Sequence, residues 1–276
     1  MQNKLKKIIP PKLGYILKHL YLGFRGAYYF GTRYKCPVCG YGFRKMLPGG
    51  FDLKVIEDME IVGAGRREND VCPFCQSTDR DRLVYLYLKY ETPFFREKIS
   101  FLHIAPEPAL YKVFKKAKNI DYHPGTKYYE GFYYNSSVEV IDLLELPFKD
   151  NSFDWIMCNH VLEHIPDDVS AMNELFRVLK PGGKGILQVP YSLKLEKTYE
   201  DERYRTPEER ERHFGQFDHV RIYGKDYPER LKGCGFNVKV IDQNRDMPHV
   251  KNIDKYALNK KEQLFVVEKS RTNNSL

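Results

Sequence analysis

Four of the six cysteines stand in two matched pairs, Cys36 and Cys39 in "CPVCG" and Cys72 and Cys75 in "CPFCQ". Two residues between thiolates let one tight turn present both sulfurs to a single cation, and two such turns complete a tetrahedron around Zn²⁺. Four thiolates leave no open position, so the centre reads as structural rather than catalytic. A redox CxxC needs no second copy, and a disulfide framework suits secreted domains rather than a chain of this kind. Between the pairs, "LPGGFD" and "VGAGRREND" punctuate short apolar runs, the pattern of a β-ribbon. The "GAG" at 63–65 lacks the preceding strand and following helix of a phosphate loop and reads as a hairpin turn.

A second set of chemical side chains follows strand ends. In "FLHIAPEPAL" an apolar run, Ile99 to Ile104, leads into a helix-like pattern of Leu110, Val113, Phe114 and Ala117. Such a junction is where open α/β sheets bind nucleotides. Ala105, Pro106, Glu107, Pro108 and Ala109 occupy the place of the usual glycine-rich turn. Alanine is the smallest side chain after glycine, and Pro108 suits a helix's first turn, where its missing N–H is not needed. Glu107 supplies a negative charge there, or caps the helix. Further on, Cys158, Asn159 and His160 leave another apolar strand at its carboxyl end. His160 and His164 are four apart, which predicts a shared helical face, and either could take a proton. His164 reads rather as a structural histidine.

The elements that must position these groups alternate. "STDRDRLVYLYLKY" predicts a helix capped by Ser77 or Thr78, with Asp79 and Asp81 in its first turn. Then come "ISFLHI", a helix, "VEVIDL", "WIMCNH", the helix "DDVSAMNELFRVLK", the stop signal "PGG" and the strand "GILQVP". A helix over roughly 225–234 precedes "FNVKVI", and "EQLFVV" closes the chain. This alternation predicts an α/β fold, a parallel sheet with helices on both faces and an antiparallel closing hairpin. The organisation read from it is a basic amphipathic arm (1–30), a zinc ribbon (31–78), a linking helix (79–98), a main domain (99–270) and a tail (271–276).

Residues 140–190, "VIDLLELPFKDNSFDWIMCNHVLEHIPDDVSAMNELFRVLKPGGKGILQVP", resemble the central half of a class I S-adenosylmethionine-dependent methyltransferase of the type 11 kind. The markers are an acidic strand end, "LPF", "D-x-SFD", "HVLEHI" and "LKPGG". The resemblance extends over about residues 33–270 to a bacterial branch in which two CPxC knuckles precede the domain, "LHxAPE" replaces the glycine motif and a stretch like "FGQFDHVRIYG" follows strand five. It implies a seven-stranded Rossmann-like sheet and S-adenosyl-L-methionine as cofactor. It places Ala105 and Glu107 in the cofactor turn, Thr126 or Glu130 at the ribose, and Asp142 with the Leu143 backbone at the adenine. Asn159 and His160 would face the same crevice. An insertion at 191–223 would form the acceptor pocket, with His219 as general base beside Asp218. Thr206 and Glu209 there form a capping box. The branch's likeness to enzymes of surface-glycan pathways suggests a sugar-containing acceptor methylated on oxygen or nitrogen. Two rivals stand beside this reading: an rRNA or tRNA methyltransferase, and a non-catalytic binding module that has lost its cofactor.

The formal net charge is +8. Residues 1–35 hold eight basic residues and no acidic one, so the remainder of the chain is balanced. That balance disfavours nucleic acid as the partner, because a domain tracking phosphates carries its own basic surplus. Within the arm, Ile16, Leu17, Leu20, Tyr21 and Phe24 repeat at helical spacing, with Lys18, His19 and Arg25 opposite. Such a face commonly docks on the protein's own body. Its alternative is a peripheral membrane or acidic-partner contact. Gly14, Lys18 and His19 interrupt any signal-peptide core, so the expected location is cytoplasmic, or peripheral at the inner membrane surface.

Overall fold

The computed structural model describes residues 11–127 and 137–271. The N-terminal helix is α1 (Pro11–Tyr28). The ribbon pairs β1 (Phe30–Lys35) with β2 (Gly42–Phe43), and β3 (Leu47–Gly49) with β5 (Arg67–Val71). Between them lie a short helix, α2 (Lys54–Asp58), and β4 (Ile61–Val62). The 63–65 stretch is a turn, with Gly63 at φ +86°. It is not a hairpin, however. β4 leaves the ribbon and pairs antiparallel with β11 (Tyr191–Ser192), far along the chain.

Helix α3 (Asp79–Leu86) starts where its chemistry dictates. The Thr78 hydroxyl accepts from the Asp81 N–H, and the Asp81 carboxylate accepts from the Thr78 N–H. Seven strands then form one sheet: β6 (Ile99–Ile104), β7 (Ile120–Thr126), β8 (Glu139–Val140), β9 (Phe153–Asn159), β10 (Leu179–Gln188), β14 (Asn237–Asp242) and β15 (Gln263–Glu268). Their spatial order is β14-β15-β10-β9-β6-β7-β8, all parallel except β15. This is the Rossmann-like arrangement with its antiparallel last strand. Strands buried on both faces read as continuous apolar runs. Leu102, Ile104, Ile156 and Cys158 pack under helices α5 (Asp168–Val178) and α7 (Tyr227–Gly233). Phe101, Trp155 and Met157 pack on the opposite face against α3 and α4 (Pro108–Phe114).

Three local expectations are corrected. "PGG" does not sit between helix and strand: α5 ends at Val178, and Gly182, at φ +77°, lies within a bulge of β10. His160 is not helical; it takes φ +52° just before a single 3₁₀ turn, Leu162–His164. The apolar stripe of α1 does not dock on the body. Leu22 and Gly26 alone among residues 13–28 are buried, Gly26 against Phe74, while Ile16, Leu17, Leu20, Tyr21 and Phe24 face outward.

Within 191–223, β12 (Tyr199–Glu200) pairs with β13 (Arg221–Ile222), and α6 (Pro207–Phe214) begins with the Thr206–Glu209 capping box. Phe214 and Ile222 share an apolar cluster with Ile56 and Ile61 of the ribbon. Ribbon and insertion therefore pack against one another, joined by the β4–β11 pair.

Candidate functional site

The two cysteine knuckles fold alike. In each, the first cysteine's carbonyl accepts from the N–H four residues on, and its own N–H donates to the carbonyl five residues on. Gly40 and Gln76 close these turns with positive φ. The result brings all four sulfurs within 4.8 Å of one another, with Cys36–Cys75 at 3.6 Å and Cys39–Cys72 at 3.8 Å. A tetrahedron with Zn–S bonds of about 2.3 Å has edges of about 3.8 Å, so the donor set fits the cation.

At the carboxyl end of β6, Ala105 adopts φ +48° and donates its N–H to the Gly125 carbonyl at 2.7 Å. This is the left-handed conformation that a glycine turn normally supplies, forced here on alanine. Glu107 is the N-cap residue of α4 by position, yet its side chain caps nothing. Instead His103 Nε2 donates to Glu107 Oε2 at 2.8 Å, and Asn159 Nδ2 donates to Oε1 at 2.9 Å. The Tyr122 hydroxyl lies 2.9 Å from His103 Nδ1 and completes the chain. Arg80, from the start of α3, brings its guanidinium within 3.8 Å of Glu107. Burial pushes the Glu107 carboxyl up, but His103, Arg80 and Asn159 together outweigh it and hold the group below its ordinary value. It is a fixed anion.

Several buried polar atoms there have no partner among the described residues: Arg80 Nε, Asn159 Oδ1 and His160 Nε2. Buried polar groups are normally satisfied, so unmet ones mark where a polar ligand would be held. The ribbon forms the roof, since a Cβ on Gly63 would stand 3.1 Å from the His160 ring. His160 also donates its backbone N–H to the Gln188 carbonyl at 2.8 Å, tying the ends of β9 and β10.

The residues that the resemblance assigns to adenine and ribose lie toward the β7–β8 edge of the sheet. Thr126 ends β7 half-buried, and its carbonyl accepts from Ile141 at 3.0 Å. Asp142 lies beyond the end of β8, exposed, its Oδ1 accepting from the Leu144 N–H at 3.0 Å in a turn. Its second oxygen has no hydrogen-bond partner among the described residues. Leu143 is buried, and Glu130 lies outside the described residues.

His219 comes to Glu163, 3.9 Å away, as do His164 at 3.9 Å and His160 at 3.7 Å. Burial pushes the Glu163 carboxyl up to about 8 and the His219 imidazole down to about 4, and it holds His160 and His164 below their ordinary values. Sequence reasoning missed Glu163 and Arg80. The i, i+3, i+4 spacing of His160, Glu163 and His164 was the available signal for the first. Arg80 was hidden in "DRDR", which reads as a solvated first helical turn, but its side chain is half-buried and turned to Glu107.

Fold and site together define a Rossmann-like protein with a cluster of buried polar side chains at its strand ends and a cysteine module over it. Residues 105–187 match the family model described as "Methyltransferase domain". A demethylmenaquinone methyltransferase of Staphylococcus epidermidis is 52% identical over 42 residues, which are 15% of this chain and 17% of that protein. The corresponding enzyme of Listeria welshimeri is 46% identical over 50 residues, 17% of this chain and 21% of its own. The chain thus spans about a fifth or less of the length of these curated relatives. Among solved structures, the [4+2]-cyclase SpnF is 17% identical with a TM-score of 0.47, covering 71% of this chain and 83% of its own. The 1,6-didemethyltoxoflavin-N1-methyltransferase of Burkholderia thailandensis is 12% identical with a TM-score of 0.41, covering 63% of this chain and 72% of its own.

Proposed function

We propose that the chain transfers a methyl group from S-adenosylmethionine to an oxygen or nitrogen of an acceptor, a sugar-containing one by the resemblance, and that the ribbon carries one structural zinc. The observation that carries the reading is the anchored Glu107 beside Arg80, at the strand ends of a methyltransferase domain. The methionine part of the cofactor is a zwitterion, and an acid–base pair with unmet hydrogen-bonding capacity matches it. Glu107 retains lone pairs for the ammonium after His103 and Asn159 are served. Arg80 Nε is a donor for the carboxylate. Ala105, with no bulk beyond Cβ, permits close approach of the backbone, and Asp142 has an oxygen for the adenine amino group. The cofactor supplies an electrophilic methyl on a sulfonium. The chain's work is to hold the acceptor aligned and near, and to exclude water beneath the ribbon roof.

Glu107→Gln keeps the shape and removes the charge. It is expected to weaken S-adenosylmethionine by the worth of a charge-assisted contact, about 1.5–3 kcal/mol, or roughly ten- to a hundred-fold. Asp142→Asn should weaken the cofactor and S-adenosylhomocysteine alike. Calorimetric titration of both ligands decides it. Wild-type protein that binds neither at millimolar concentration overturns the enzyme reading in favour of a binding module.

The exposed stripe of α1 is proposed as a contact with an anionic lipid surface. Phe24 is 75% exposed and Leu20 54%, and no acidic residue among the first 35 opposes the approach. No helix among the described residues is long and apolar enough to cross a membrane, so this contact would be peripheral. Sedimentation with phosphatidylglycerol vesicles should capture the protein at low salt and lose most of it at high salt. Phe24→Glu should abolish capture. Equal partition with neutral vesicles, or capture by RNA alone, overturns it.

A further inference from the structure

Glu163 is fully buried, and neither carboxylate oxygen has a hydrogen-bond partner among the described residues. A carboxylate taken out of water needs a cation or donors to be tolerated. What surrounds it is a shell of imidazole nitrogens. Glu163 Oε1 lies 3.7 Å from His160 Nδ1, 3.9 Å from His164 Nε2 and 3.9 Å from His219 Nε2. Ligand atoms of Glu163, His164 and His219 all fall within 4.8 Å of one another. A tetrahedral cation with bonds of about 2.1 Å separates its ligands by about 3.4 Å, so the three side chains would draw in by about half an ångström or more to close on it.

The outer contacts are those of ligating histidines, whose second nitrogen is commonly held by a carboxylate or a carbonyl. His164 Nδ1 lies 3.2 Å from Asp218 Oδ2, and Gln216 donates to the other Asp218 oxygen at 2.8 Å. The frame is also braced. Val220 N–H donates to the Glu163 carbonyl at 2.9 Å, and buried Arg221 donates to the carbonyls of Leu162 and Pro166 at 2.9 and 2.8 Å. The segment bearing His219 is thereby locked to the turn bearing Glu163.

We propose that Glu163, His164 and His219 bind a divalent cation of the borderline class, Zn²⁺ or Co²⁺, at a centre separate from the four cysteines. Nitrogen donors with one carboxylate select such cations over Mg²⁺ and Ca²⁺, which prefer all-oxygen sites. The centre adjoins Asn159, a neighbour of the Glu107 carboxylate. An acceptor oxygen as a further ligand rests on the methyl-transfer reading; the cation site itself does not.

The probe is Co²⁺ added to full-length protein whose cysteine centre is already filled with zinc. About one equivalent should bind, with visible d–d absorption and without thiolate-to-cobalt charge transfer. Glu163→Gln, His164→Ala and His219→Ala should each weaken it at least about ten-fold. Melting without Co²⁺ separates lost binding from lost folding: Glu163→Gln replaces an unpartnered buried carboxyl group by an amide of the same shape and should melt no lower than wild type. The proposal is overturned if wild type takes up no Co²⁺, if the bound Co²⁺ shows only thiolate charge transfer, or if all three folded variants bind as wild type does. Since the readout needs no methyl donor, failure of the methyl-transfer reading leaves it untouched.

Discussion

Arg82→Met is expected to cost about 3–5 kcal/mol of folding stability, the range for stripping a buried charged group from its partners. The Arg82 side chain is fully buried, and its guanidinium donates only to backbone carbonyls. Asp70 at 2.6 Å, Asn69 at 3.3 Å and Ser77 at 3.0 Å belong to the ribbon and its exit; Tyr256 at 2.7 Å and Ala257 at 2.5 Å precede β15. One side chain from α3 thus staples the ribbon to a segment some 175 residues away. Methionine fills the volume but leaves these carbonyls buried and unmet, each costing about 1–3 kcal/mol before water or relaxation relieves it. Arg82→Lys should recover only a minor part, because three donors on a point charge cannot reproduce a planar fork serving five acceptors. Denaturant unfolding followed by circular dichroism measures both. A loss under about 1 kcal/mol for methionine would show that the 253–257 turn is held by something else.

This staple illustrates what could and could not be read from residue order. The cysteine knuckles were legible because a CxxC turn is closed by its own backbone, and its geometry needs no distant partner. The helix starts at Thr78 and Thr206 were legible for the same reason, each cap being made within four residues. The parallel sheet and its antiparallel closing hairpin followed from alternation, since parallel neighbours need crossovers, while the number of strands followed from the resemblance. The partnerships between distant segments were not legible. Nothing local to "DRDR" shows that Arg80 would face Glu107 or that Arg82 would face Tyr256, because a charged first turn is normally solvated. The roof over His160 depends on β4 pairing with β11, two residues on each side and 129 positions apart from Val62 to Tyr191. His219 was assigned to the acceptor pocket from the resemblance. Its proximity to Glu163 depends on how the insertion folds back, which no periodicity encodes. Ala105 shows the converse. Its positive φ would have been expected of glycine, and here the hydrogen bond to Gly125 and the strand on either side impose it on alanine.

The cysteine centre carries the other large effect. Cys36→Ser or Cys72→Ser should lower the zinc content of the purified protein by about one equivalent, because a hydroxyl is a poor substitute for a thiolate. Both residues are fully buried, and the ribbon's apolar cluster is small: Phe43, Met46 and the cysteines themselves, with Tyr29, Val38 and Phe74 at its margin. A core of that size does not stabilise a fold alone, so metal binding is also the folding free energy of the ribbon, and its loss should cost several kcal/mol locally. The damage should reach the ligand crevice. With the ribbon unfolded, Gly63 leaves His160, Arg67 leaves Asp79, to which it donates at 2.5 Å, and β11 loses its partner strand. Water then enters around Arg80 and Glu107 and weakens both by raising the local dielectric. Limited proteolysis should therefore cut first within 36–75, while the seven-stranded sheet keeps its far-ultraviolet signal. Affinity for S-adenosylhomocysteine should fall at least about ten-fold without any residue of the crevice having been changed. A serine variant that keeps its zinc, or one that loses zinc and yet binds the ligand as wild type does, would uncouple the ribbon from the crevice. The roof would then be a neighbour of the site and not a part of it.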